Sequence, residues 1–85
     1  MNIVIYTSNY CPYCVKAKRL FDQLDVAYEE INIEKDPAQR DVMLGRANGQ
    51  RTVPQIFIGD RHIGGCDDLY ALHQSGELTN ILTGE

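Results

Sequence analysis

The apolar residues follow two rhythms that alternate along the chain. Ile3-Val4-Ile5-Tyr6 is an unbroken apolar run with β-branched members, which predicts a strand over residues 2–7 covered on both faces. From residue 12 the period lengthens. Cys14, Ala17, Phe21 and Leu24 recur at i, i+3, i+7 and i+10, one buried stripe of a helix over 12–24. Asp25 marks a turn, and residues 26–33 read as a second strand with Tyr28 out of strict alternation. Asp36-Pro37 predicts a helix start, Asp at the N-cap and Pro at the first position. That helix is expected to reach about Arg46, with Val42 and Met43 inward and Asn48-Gly49 closing it. Gln55-Ile56-Phe57-Ile58 predicts a third strand, and Gly59-Asp60 a two-residue turn into a fourth at 61–64. A last helix is expected near Cys66-Asp67-Asp68, with Leu69, Leu72 and His73 inward. Gly76 stops it, and residues 77–82 add a short terminal helix.

The predicted order is βαβαββα. A strand–helix–strand crossover implies a parallel pair, right-handed by default. The last two strands form an antiparallel hairpin. The economical solution is an α/β fold: a four-stranded mixed sheet with helices on both faces. At 85 residues the chain is expected to be one domain, 1–85.

Composition narrows the function more than the fold. The net charge is −4, and the eight Lys and Arg form no basic run, which argues against a nucleic-acid partner. No apolar run approaches a membrane span, and the N-terminus has no signal-peptide pattern. The expectation is a cytoplasmic protein without membrane contact. Six acids lie between Asp22 and Asp36 against the single base Lys35; they read as a solubilising surface at the helix end remote from Cys11.

The chemistry concentrates at Cys11-Pro12-Tyr13-Cys14, between the first strand and the first helix. Two cysteines at this spacing in a chain without a secretion signal suggest a redox dithiol. Pro12 suits the first helical position. Cys11 then falls at the N-cap, where the helix end favours thiolate over thiol. Cys14 belongs to the buried stripe. An activated sulfur open to solvent beside a shielded one is the division that thiol–disulfide exchange needs. Three other readings compete. A structural disulfide would be kept reduced in the cytoplasm. A zinc site would have to recruit Cys66, His62 or His73. An iron–sulfur site normally needs four thiolates, and the chain has three cysteines, so it would require a cluster shared between two copies.

Two further motifs join the dithiol: Arg51-Thr52-Val53-Pro54 before a strand, and Gly64-Gly65-Cys66-Asp67-Asp68 before a helix. With all three, the chain resembles the glutaredoxins over essentially its full length. The match is closest to the small dithiol bacterial glutaredoxins of the glutaredoxin 3 type. The resemblance implies a thioredoxin-like fold and thiol–disulfide oxidoreductase activity, with glutathione as reductant and co-substrate and no permanently bound cofactor. Glutathione and glutathionylated or disulfide-bonded proteins are then the partners of a chain expected to act as a monomer.

The residues support a specific footprint. Pro54 holds Val53 extended, so Val53 can offer its N–H and C=O to a peptide-like ligand. The resemblance implies that the Val53–Pro54 bond is cis. Gly64-Gly65 let the backbone turn sharply. The amides of Cys66 and Asp67 suit a carboxylate, and Asp67 or Asp68 suits an ammonium. Thr52 closes one side; Tyr13 reads either as a surface residue or as a wall beside the sulfur, and the resemblance implies the wall. Cys66 reads as a small buried filler, and His62 and His73 as structural or surface residues. The resemblance also exposes a departure: many members carry a Lys three residues before the first cysteine, where this chain has Ser8. The cation for the glycyl carboxylate is then expected from Arg51 or the 40–46 helix. Two rivals remain: a glutaredoxin-like redoxin reduced by thioredoxin reductase, and a non-enzymatic module holding zinc or a shared cluster.

Overall fold

The computed structural model describes residues 2–83. In chain order they form β1 (Ile3–Thr7), α1 (Pro12–Gln23), β2 (Glu29–Asn32), α2 (Ala38–Arg46), β3 (Gln55–Ile58), β4 (Arg61–Gly64), α3 (Cys66–Ser75) and α4 (Glu77–Thr83). The strands make one sheet in the order β2-β1-β3-β4. β1 runs parallel to β2 and antiparallel to β3, and β3 is antiparallel to β4.

The unbroken apolar runs are explained by burial on both faces of the two central strands. Ile3, Ile5, Ile56 and Ile58 point to one side, where Ala17, Leu20 and Phe21 of α1, Leu69 of α3 and Leu78 of α4 cover them. Val4, Tyr6 and Phe57 point to the other, against Ile33, Met43 and Ala47. Successive residues alternate between two cores, so no polar position interrupts β1 before Thr7. Burying a large apolar side chain of this kind contributes about 1.5–3 kcal/mol.

Four expectations are corrected. The second strand is shorter than residues 26–33, because β1 sets its length: Val4 pairs with Glu29 and Thr7 with Asn32. Val26 and Tyr28 instead pack on the rim of the core. The second helix begins one residue late, with Pro37 at its N-cap and no side-chain cap from Asp36. Its inner face is Met43 and Ala47, four apart, which leaves Val42 44% exposed. His73 is exposed, edge-on to the Tyr70 ring at 6.4 Å, rather than inward.

The acidic stretch is also not remote from Cys11 along its whole length. Parallel pairing carries β2 back to the end of the sheet where the Cys11 loop begins, and Asn32 Nδ2 donates to Asn9 Oδ1 at 3.0 Å. Asp22 and Asp25 stand at the far end of α1, and Glu29 lies beside Val4 at that end of the sheet, while Glu34 and Asp36 follow Asn32 at the near end.

Candidate active site

The site lies where α1, the segment before β3 and α3 meet. Cys11 is the N-cap of α1 in extended conformation, and Pro12 occupies the first turn. The cap is made by sulfur: Cys14 N–H donates to Cys11 Sγ at 3.1 Å. No acid stands in the first turn of α1. The first-turn amides therefore face the sulfur unopposed, which stabilises negative charge on it. Cys14 is 2% exposed, whereas Cys11 is half-buried with Tyr10, Pro12 and Tyr13 exposed around it. The two sulfurs are close enough to be joined as a disulfide, with Cα atoms 5.2 Å apart. The predicted division between an accessible and a shielded sulfur is present.

The Val53–Pro54 peptide bond is cis, as expected. Cys11 Sγ lies 3.8 Å from the Val53 carbonyl oxygen. Among the described residues no backbone hydrogen bond engages the Val53 N–H or C=O. A length of backbone with no partner in the sheet, bent at Val53, thus stands directly beside the Cys11 sulfur.

The far wall is the start of α3. Gly65 is its N-cap, so the amides of Cys66 and Asp67 lie in the first turn without helical acceptors. The Asp68 carboxylate accepts from the Gly65 N–H at 3.0 Å and closes the cap from within the helix. Of the two motif glycines, Gly64 is the demanding one. Its φ is +112°, and a Cβ there would collide with the Asp68 carboxylate. Gly65 has φ −93° and room for a side chain, with Pro54 O 3.6 Å away.

Between these walls is an open cleft of about 290 Å³ lined by Tyr13, Gln50, Thr52, Val53, Pro54, Gly65, Cys66, Asp67 and Asp68. It gathers every predicted ligand-site residue except Arg51, which is exposed and outside the lining, with Gln50 in its place. The 40–46 helix supplies no free cation from Arg46, which lies over the Phe57 ring at 4.2 Å and donates to Tyr6 Oη. Cys66 lines the cleft yet is 4% exposed, and burial pushes its thiol up, with nearby Lys16 pulling it down and Asp67 pushing it further up. His62 and His73 do not join it: among the described residues no three His, Cys, Asp or Glu converge as metal ligands.

Fold and site together define a thioredoxin-like protein with a dithiol at a helix N-terminus and a cleft beside it. Comparison with known proteins makes this specific. The Glutaredoxin family model matches residues 3–63. A glutaredoxin of Pseudomonas aeruginosa is 47% identical over 81 residues, covering 95% of each chain. The solution structure of glutaredoxin from Brucella melitensis superposes with a TM-score of 0.82 at 44% identity, over all of this chain and 92% of that one. The buckwheat glutaredoxin–glutathione complex superposes with a TM-score of 0.87 at 41% identity, over 96% of this chain and 76% of that one. The chain belongs to the glutaredoxin family, with a Cys11–Cys14 pair that fits thiol–disulfide oxidoreductase chemistry. Among the described residues no helix is long and apolar enough to cross a membrane.

Proposed function

We propose that this chain is a glutathione-dependent thiol–disulfide oxidoreductase of the small dithiol, glutaredoxin 3 type. It acts as a monomeric domain over residues 1–85 in a reducing cytoplasm, with no permanently bound cofactor. The observation that carries the reading is the position of Cys11 Sγ, 3.8 Å from the open Val53 backbone at the edge of the cleft. A tripeptide laid along Val53 brings its own sulfur to Cys11. The buckwheat relative solved with glutathione supports the ligand class.

In the first step Cys11 thiolate attacks the glutathione sulfur of a mixed disulfide. The substrate leaves as thiolate and takes up a proton. A second glutathione thiolate then attacks the glutathionyl sulfur on Cys11, forming glutathione disulfide and restoring the Cys11 thiolate. Alternatively Cys14 attacks Cys11 Sγ and expels reduced glutathione, and two glutathiones later reduce the Cys11–Cys14 bond. For a protein disulfide, Cys11 attacks first and Cys14 completes the reduction.

The ligand ends are distinguished by charge. The γ-glutamyl carboxylate faces the Cys66 and Asp67 amides, where a helix start favours an anion. Its ammonium meets Asp67 or the outer oxygen of Asp68. Thr52 and Tyr13 form the sides. A coupled assay with glutathione, glutathione reductase and a small glutathione mixed disulfide tests the reading. Turnover is expected. Activity only with thioredoxin reductase would transfer the chain to the rival redoxin reading.

A further inference from the structure

β3 contains one polar residue, and it is wholly buried. Gln55 follows Pro54 at 0% exposure. Its amide nitrogen lies 3.0 Å from Thr52 O, 3.2 Å from Thr52 Oγ1 and 3.3 Å from Gln50 Oε1. Its amide oxygen lies 2.7 Å from His62 Nε2. The orientation of the amide follows from chemistry. The Thr52 carbonyl can only accept, so the Gln55 NH2 must face it. The Gln55 oxygen then faces His62, whose Nε2 must carry the proton. His62 is itself set by stacking on Phe57, ring centroids 4.8 Å apart and planes at 21°.

The consequence reaches the cleft through Gln50. Its Oε1 accepts from Gln55, which leaves its NH2 group to donate elsewhere, and Gln50 lines the cleft. The cleft lining contains no Lys or Arg. We infer that Gln55, held by His62, positions the Gln50 amide as a neutral donor to the carboxylate at the end of a peptide ligand remote from α3. Gln50 is the specificity-determining group; Gln55 and His62 are positioning residues. The inference rests on the glutathione reading above and adds the recognition of the glycyl end.

The test compares two substrates in the coupled assay: a glutathione mixed disulfide, and the same compound with its glycyl carboxylate converted to an amide. Wild-type protein is expected to show a lower KM for the acid, with similar kcat. Gln50→Glu should raise the KM for the acid about three- to tenfold, the worth of one lost hydrogen bond, and leave that for the amide nearly unchanged. Gln55→Met and His62→Phe should give smaller rises of the same selectivity, and His62→Gln, which keeps a donor at the Nε2 position, should restore wild-type KM. In the wild type, nitrogen NMR should show His62 protonated at Nε2. Wild-type turnover with equal KM for acid and amide overturns this inference alone. So does a loss in Gln50→Glu that falls on kcat or strikes both substrates equally. Absence of any glutathione-dependent turnover by the wild type overturns the functional reading and this inference together.

Discussion

Two helices begin at the cleft, and they use the same physics in opposite ways. α1 is capped by a sulfur, has Pro12 in its first turn and carries no acid there. α3 is capped by a glycine and carries Asp67 and Asp68 in its first turn. Both starts expose amides and partial positive charge. At α1 nothing competes for that field, so it acts on Cys11. At α3 the field is partly met by the helix's own carboxylates, which leaves a site that can read an anion and a cation side by side. The contrast separates reactivity from recognition, and it can be broken at either end.

The largest effect belongs to the α1 end. Cys11→Ser should abolish all exchange. Cys14→Ser should retain activity on glutathione mixed disulfides and lose most of it on protein disulfides. Iodoacetamide at neutral pH should label reduced Cys11 before Cys14; mass mapping that finds the reverse would defeat the assignment of roles.

A smaller effect comes from making α1 resemble α3. Tyr13→Glu places a carboxylate in the first turn, beside the sulfur. It should raise the Cys11 thiol pKa by less than about one unit, since charges near a helix end are worth about 0.3–1 kcal/mol. The rate of alkylation against pH measures this directly, and an unchanged profile would show that the helix field does not reach Cys11.

The matching change at α3 is Asp68→Ala. Loss of the contact to Gly65 N–H should cost about 0.5–2 kcal/mol of stability, the usual worth of a cap. Glutathione handling should weaken a few-fold while the Cys11 thiol pKa stays put. Denaturant unfolding and the alkylation profile together show whether the two ends are independent.

The smallest effect lies outside both ends. Burial alone would raise the Glu30 carboxyl, but hydrogen bonds from Thr7 Oγ1 and Lys18 Nζ and the charges of Lys18 and Lys35 hold it below its ordinary value. A carboxyl depressed in the folded state contributes stability that is present above its unfolded pKa and lost as pH falls through its folded one. Glu30→Gln should therefore slightly flatten the acid limb of the stability curve, seen as thermal midpoints between pH 7 and pH 3, with no change in exchange rate at neutral pH.

The cysteines and both helix starts at the cleft were legible because each depends on local chemistry at fixed spacing, whereas the cis proline was expected only through the resemblance to the glutaredoxins. The central strands were legible because Ile3–Tyr6 and Ile56–Ile58 are covered on both faces. What escaped was set by distant partners. β2 stops at Asn32 because β1 stops at Thr7. Val42 is apolar but falls outside the face that Met43 and Ala47 define. The swap of Arg51 for Gln50 in the cleft depends on Gln55, whose only advance signal was a polar residue opening an otherwise apolar strand.

The burial of Cys66 bears on fidelity. A catalyst with three cysteines can form three different internal pairs, and only Cys11–Cys14 belongs to the reaction. Cys66 lines the same cleft, yet its thiol is pushed up and nearly sealed from solvent. Thiols attack disulfides as thiolates, so this third sulfur is held back from attack on a disulfide formed at Cys11. The packing that hides it insulates the cycle against its own wrong disulfide.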